Sequence, residues 1–373
     1  MKAAIYVHIP FCVTKCRYCS FNSVPLDEKL ARRHTGALMA EISGCGIEFE
    51  PTSIYIGGGT PTALDPAALL AVISALKEKF NPHYGMELTV EANPGSLGGH
   101  DLVALREMGV NRVSLGAQSF KPSELAMLGR GHGPEEVEES VVRLRSAGIG
   151  NINVDLIYSL PGQDMDSWSS NLDRAIGLGP DHISLYDLSI DKGTPLYSDF
   201  AAGRLDLPSE DTQVDMYLSA VERLTEAGYL RYEISNFARP GFECAHNINY
   251  WDQGVYAGFG AGASSHIFGV RTTNIPDIKG YVDTVEAGLS PAGETETPDI
   301  AQCEGERMML GLRKSDGVSL SKFREDFGYE LAAKYPGKVD ALIADGLLER
   351  SGDLLRLTPR GVLVSNRVMA EFF

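Results

Sequence analysis

The sequence has no run of about 18 apolar residues, so a membrane-spanning helix is excluded and an integral membrane protein is not expected. It also lacks any basic excess: 33 Lys and Arg stand against 50 Asp and Glu, a formal charge of -17. Such a chain is not drawn to nucleic acid or to anionic lipid, and the acidity reads as solubilising. The opening MKAAIYVHIP lacks the charged, apolar and small-residue zones of a secretory leader. A reducing, cytoplasmic setting follows as an expectation, with transient peripheral membrane contact compatible with it, and disulfides are not expected.

Cysteine is scarce too, with 6 in 373 residues, yet three share one loop: Cys12-Val13-Thr14-Lys15-Cys16-Arg17-Tyr18-Cys19. That loop offers no fourth cysteine to close a tetrahedral zinc site. Cys45, Cys244 and Cys303 lie far away in sequence. A zinc site completed by His8 is one alternative. The other is an iron-sulfur cluster with one iron left open, since such clusters accept closely spaced loop thiolates and tolerate a substituted ligand.

Short β-branched runs alternate with helical patterns up to about residue 190, which predicts six βα units around a parallel sheet. The expected strands are Ala3–Ile9, Ser53–Ile56, Glu87–Ala92, Arg112–Ala117, Ile152–Ile157 and His182–Leu188. Between them Leu26–Ile42, Asp65–Phe80, His100–Met108, Pro134–Ala147 and Ser167–Ile176 carry helical periodicity. The expected fold class is α/β, a full or partial barrel whose active site lies at the C-terminal ends of the strands. Beyond it, Asp211–Ala227 reads as a helix with Val214, Tyr217, Leu218, Val221 and Leu224 on one face. A mixed, Gly-rich stretch follows, and after Thr295-Glu296-Thr297-Pro298 the tail reads as helices, a hairpin over 347–357 and a last helix from Pro359. The predicted division is 1–190 as barrel core, 191–295 as a mixed α/β extension and 296–373 as a winged-helix-like module. Acids and bases roughly balance in that module, so docking or covering the barrel suits it better than DNA.

The glycine run Gly57-Gly58-Gly59-Thr60-Pro61-Thr62 lacks the Lys of a nucleotide-triphosphate loop. Bare backbone there can either approach a ligand or form a plain tight turn. Glu91, Gln118 and Asp155 fall on successive strand ends, with Arg130 on the following loop. Singly each reads as a cap or surface group. Together around a cysteine loop they suit an amino acid joined to a nucleoside: its amino and carboxylate groups chelate the open iron, Arg130 takes the charge, and the other three hold hydroxyls or the amine. S-adenosylmethionine (SAM) has that chemistry.

These residues resemble the radical SAM superfamily, whose CxxxCxxC reads here as Cys12, Cys16 and Cys19. The likeness narrows to the oxygen-independent coproporphyrinogen III oxidase-like group through Tyr6-Val7-His8-Ile9-Pro10-Phe11-Cys12, the glycine run, Gly116-Ala117-Gln118-Ser119-Phe120 and Asp155-Leu156-Ile157-Tyr158-Ser159-Leu160-Pro161-Gly162. The resemblance implies a partial (β/α)6 radical SAM barrel, a 4Fe-4S cluster on the three cysteines, and SAM held by Gly58, Gly59, Thr60, Glu91, Gln118, Arg130 and Asp155. It also places Tyr6 and Tyr18 near the cluster and adenine. Two departures separate the chain from true oxidases: the motif begins already at Cys12, and Phe21 stands where those enzymes carry a further cysteine. His246-Asn247-Ile248-Asn249-Tyr250-Trp251 instead is similar to the HNxxYW motif of HemW-type haem chaperones.

That resemblance implies haem as cargo, His246 as its ligand, and respiratory proteins as acceptors, with a homodimer compatible and coproporphyrinogen oxidase activity not expected. Imidazole is an axial haem ligand and aromatic rings stack on porphyrins. A buried, hydrogen-bonded histidine is the plainer alternative. Cys244 could join haem or be an inert buried thiol. Gly258-Phe259-Gly260-Ala261-Gly262 reads as a tight turn against the barrel.

Overall fold

The computed structural model describes all 373 residues. Six parallel strands form its centre: β1 Lys2–Ile9, β2 Glu50–Gly58, β3 Glu87–Ala92, β4 Arg112–Gln118, β5 Asn151–Tyr158 and β6 His182–Asp187. They pair in sequence order and are joined by helices that include Glu28–Gly44, Pro66–Phe80, Leu102–Glu107, Pro134–Ser146 and Met165–Gly177. This is the partial (β/α)6 barrel that the alternation predicts. β1 and β6 do not pair with each other, because a parallel strand, Tyr256–Phe259, adds beside β1 and an antiparallel one, Asn236–Ala238, beside β6.

Register explains the lumen. Tyr6, Tyr55, Thr89 and Arg112 form one cross-strand row, and Glu91, Ser114, Asn153 and His182 the next. These side chains point into the barrel, while the alternating Ile5, Val7, Ile54, Ile56, Leu88, Val90, Val113, Leu115, Val154 and Leu156 are buried under the helices. Strands of parallel sheets usually read as nearly continuous apolar runs. The polar alternation here is that of a barrel with a hydrogen-bonded interior.

Residues after 300 build a second core around Phe323, Leu342, Leu348, Leu355 and Val368, with a three-stranded antiparallel sheet whose hairpin is Leu348–Ser351 and Leu354–Leu357. This is a winged-helix-like arrangement. Tyr158 from β5 packs against both cores. The helix Glu210–Glu226 departs from its expected face: Met216, Tyr217, Ala220 and Leu224 are buried, whereas Leu218 is 43% exposed. Packing against Trp168, whose indole donates to the Met216 carbonyl at 2.8 Å, rotates the helix away from the simple apolar stripe.

The Gly258–Gly262 segment has a strict packing reason. A Cβ on Gly260, whose φ is 102°, would lie 2.5 Å from the His8 carbonyl oxygen, so the chain there crosses β1 at backbone contact.

Candidate functional site

The cysteine loop leaves β1 and is fixed before any ligand arrives. Lys15 donates to the Ser23 carbonyl at 2.7 Å and to that of Phe21 at 3.3 Å, while the Arg17 amide donates to Leu128 O at 3.0 Å and its guanidinium pairs with Asp199. Cys12 is buried, Cys16 and Cys19 are half-buried, and all three face one cavity of about 380 Å3 at the C-terminal ends of the strands. The same cavity is lined by Tyr18, Gly58, Gly59, Thr60, Glu91, Gln118, Arg130 and Asp155. Eleven of the thirteen expected ligand-contacting residues are therefore brought together.

Their geometry is already organised. Glu91 accepts from the Tyr55 hydroxyl at 2.8 Å and from the Gly58 amide at 3.0 Å. Burial, with Asp155 nearby, pushes its carboxyl up to about 7 despite those hydrogen bonds. Asp155 accepts from Asn153 at 2.7 Å and from Ser114 at 3.2 Å, and burial raises it as well. Arg130 reaches the Asn93 side chain, the Gly116 carbonyl and, at 3.3 Å, Cys16 Sγ. The Thr60 hydroxyl donates to Cys12 Sγ at 3.6 Å and accepts from Asn93 at 2.9 Å. Gln118 sits at a left-handed φ of 67°. Strained backbone at a strand end is stored where a side chain must be aimed.

Nowhere in the chain do three His, Cys, Asp or Glu side chains converge on one point as a single metal ion requires. A 4Fe-4S cluster spreads its thiolates over separate irons and needs no such convergence. His8 does not join the thiols: its Nε2 is 2.8 Å from the Asn22 carbonyl and its Nδ1 3.0 Å from the Tyr6 hydroxyl. The zinc alternative thus loses its fourth ligand. Two buried polar atoms on the cavity wall, Gln118 Oε1 and Arg130 Nε, have no partner within the protein. Together with the three thiols and bare Gly58–Gly59 backbone, they fit a cluster capped by an amino-acid nucleoside.

Gly59 has a further constraint. A Cβ there would stand 2.7 Å from the Phe11 carbonyl oxygen, 2.9 Å from the Phe11 nitrogen and 3.0 Å from the Ile9 oxygen, all of them backbone. Gly59→Ala must therefore push the cysteine loop off the glycine run. We expect a loss of about 1–3 kcal/mol of stability together with loss of SAM binding, read by thermal unfolding and by equilibrium dialysis. Unchanged values for both would show that the close approach is dispensable.

Two expected ligand contacts are not brought to this cavity. Tyr6 lies lower in the lumen, stacked on Tyr55 with ring centroids 6.3 Å apart. His246, expected as the haem ligand, lies apart from this cavity. It lies on a seven-residue helix, Ala245–Trp251, that plugs the opposite end of the barrel, and it is 1% exposed. Its Nδ1 is 2.9 Å from Ser53 Oγ, its Nε2 3.1 Å from the Tyr250 hydroxyl, and its ring stacks on Tyr55 at 5.1 Å. Both nitrogens are engaged, and burial lowers the imidazole to about 3, so it stays neutral.

Trp251 of the same motif contacts the C-terminal module, and its indole nitrogen is buried without a partner. Arg313, on the helix Ile300–Arg313, lies over the Trp251 ring at 4.5 Å, tying the plug to the C-terminal module. Cys244 is fully buried, its Sγ 3.5 Å from Glu87 Oε1, and burial pushes its thiol up to about 12. It is an inert thiol. Sequence reasoning missed Tyr55, Asn93, Ser114 and Tyr186, which line or support the cavity. Asn93, just past the end of β3, and Ser114 lie two residues from Glu91 and Gly116, and that spacing was the available signal.

Profile comparison matches the Radical SAM superfamily over residues 6–175 and the HemN C-terminal domain over residues 305–364. The heme chaperone HemW of Bacillus subtilis (strain 168) is 36% identical, covering 100% of this chain and 99% of that protein. The heme chaperone HemW of Escherichia coli (strain K12) is 31% identical, covering 99% and 97%. Among solved structures, coproporphyrinogen III oxidase (HemN) from Escherichia coli, described as a radical SAM enzyme, superposes with a TM-score of 0.86 at 25% identity, covering 100% of this chain and 90% of that one.

Proposed function

The chain belongs to the haem chaperone HemW family, on the radical SAM fold, and from that premise we propose that it binds haem and passes it to an acceptor protein. The observation that carries this reading is a contrast within one organism: over nearly the whole chain, identity is higher to the Escherichia coli chaperone than to the Escherichia coli oxidase. Phe21, 67% exposed on the rim of the cysteine cavity where oxidases carry a further cysteine, supports it. Acceptors of respiratory type follow from the resemblance. No helix is long and apolar enough to cross a membrane.

In this reading Cys12, Cys16 and Cys19 hold a 4Fe-4S cluster, and Arg130 takes the SAM carboxylate. Glu91, Gln118 and Asp155 accept from its hydroxyls or amine, Gly58, Gly59 and Thr60 border its methionine part, and Tyr18 packs beside the cluster. When bound, the pair supplies one-electron reductive chemistry. The chain's own groups orient the ligand and exclude water, and the residues beyond 296 dock onto the barrel rather than onto DNA.

Anaerobic reconstitution followed by two parallel assays tests the proposal. Haemin titration should give a saturable Soret shift, while coproporphyrinogen with SAM and a low-potential reductant should remain intact. Protoporphyrinogen formed by cluster-replete protein would overturn the chaperone reading in favour of the oxidase.

A further inference from the structure

Besides the cysteine cavity, the molecule has a second and larger one. It measures about 1050 Å3, against about 380 Å3 for the cysteine cavity. It lies between the barrel rim, the helix Glu210–Glu226 and the C-terminal module. Asp187, at the end of β6, lines both cavities, so the two are neighbours.

The larger cavity has two unlike sides. The barrel side presents Tyr158 and Tyr217, tilted 37° with centroids 6.3 Å apart, beside Val214 and Ile234. The module side presents Arg360 and Arg367, both exposed. Neither guanidinium is paired with a carboxylate. Arg360 reaches only the backbone carbonyl of Asp345, at 3.3 Å, although the Asp345 side chain lines the same cavity. In a chain of charge -17, two guanidiniums without carboxylate partners on one wall suit a ligand with two carboxylates. The remaining acids, Asp187 and Glu210, come from the barrel side and would turn an anionic edge away from it.

We propose that this cleft is the haem site, with Arg360 and Arg367 binding the two propionates and the ring lying along the Tyr158 and Tyr217 wall. This rests on the haem-chaperone reading above. A flat dianion with apolar edges matches a cleft that has aromatic and aliphatic side chains on one side and two guanidiniums on the other. No His, Cys or Met lines the cleft, burial keeps the Tyr158 and Tyr217 phenols protonated, and the Tyr217 hydroxyl donates to the Ile234 carbonyl at 2.9 Å, so the cleft offers the iron no strong axial ligand. Haem is then held by its edge and face, and an acceptor's ligand can take the iron without first displacing one from the carrier. The neighbouring cysteine cavity is left free for the cluster and SAM.

The test is haemin titration by Soret absorbance on the full chain in four arms. The Arg360→Gln/Arg367→Gln double variant should bind haemin about tenfold more weakly or worse, with unchanged circular dichroism. Haemin dimethyl ester should bind the natural protein as weakly as haemin binds the double variant, and pairing ester with variant should add no further loss, because both remove one interaction. His246→Ala should bind haemin within about twofold of the natural protein, a difference worth well under 1.4 kcal/mol. Equal saturation of the natural protein and the double variant overturns the cleft while leaving the haem reading standing, and loss confined to His246→Ala does the same. No saturable Soret shift in the natural protein overturns both.

Discussion

Serine in place of Cys16 leaves the anaerobically reconstituted protein without iron. Cys16 is half-buried on the cavity wall, with the Arg130 guanidinium 3.3 Å from its sulfur and its carbonyl accepting the Cys19 amide at 3.3 Å. The loop therefore presents the thiol already aimed, and a hydroxyl at that position is a far poorer ligand for iron. A 4Fe-4S cluster on these thiolates would have each on a different iron, so losing one would leave two unligated corners in place of one and the cluster should not survive. Iron and acid-labile sulfide should fall from about four each per chain to background, and SAM affinity should go with them because its chelating iron is gone. Serine at Cys45, Cys244 or Cys303 should leave the iron content unchanged, since none of these lines the cavity. Full iron content in the Cys16→Ser protein, or its loss in the Cys45→Ser control, would falsify the assignment of the loop.

The strands of this barrel were legible because their outward faces are apolar and β-branched: all six were expected within about three residues of where they lie. The helices Pro122–Leu128 and Ala245–Trp251 were not anticipated. Seven residues give too few turns for a 3.6-residue period to be read, and Ala-His-Asn-Ile-Asn-Tyr-Trp carries apolar groups all round. What fixes the second of these helices is remote. Glu87, at the start of β3, accepts from the Ala245 amide at 2.9 Å and the His246 amide at 3.1 Å, capping the helix from a distance of more than 150 residues along the chain. The direction of the His246 side chain depends on that cap and on Ser53, so no local pattern could have placed it.

The same contrast separates the two ends of the barrel. At the C-terminal end, polar residues on adjacent strands face a cavity with partners missing, namely Gln118 Oε1 and Arg130 Nε. At the N-terminal end, Ser53, Glu87, His246 and Tyr250 complete one another's hydrogen bonds. A polar group that is buried and satisfied maintains the fold, whereas one that is buried and left open awaits a ligand. On sequence grounds both His246 and Gln118 are expected site residues. The hydrogen-bond inventory divides them: both His246 nitrogens are engaged, whereas Gln118 Oε1 is left open on the cavity wall.

Glu91 should make SAM affinity rise with pH. Its carboxyl is buried among Tyr55, the Gly58 amide, Asp155 and, further off, Arg112, and burial lifts it from 4.5 to about 7. The folded-state value lies above the unfolded one, so the associated stability is fully present below pH 4.5, falls as pH rises and is gone above about 7. The shift corresponds to a change on the order of 3 kcal/mol. Ligand binding runs in the opposite direction, because hydroxyl or ammonium donors of SAM bond best to the ionised carboxylate. If only that form binds well, lowering the pH from 8 to 5.5 should weaken SAM about thirtyfold. Glu91→Gln should bind at pH 8 about as poorly as the natural protein does at pH 5.5, with a flat profile between, and its thermal stability should lose the downward slope above pH 4.5. Calorimetric titration of the reconstituted protein across that range reads both slopes. A flat profile in the natural protein would remove Glu91 from the SAM contacts and leave it as a buried prop for Tyr55.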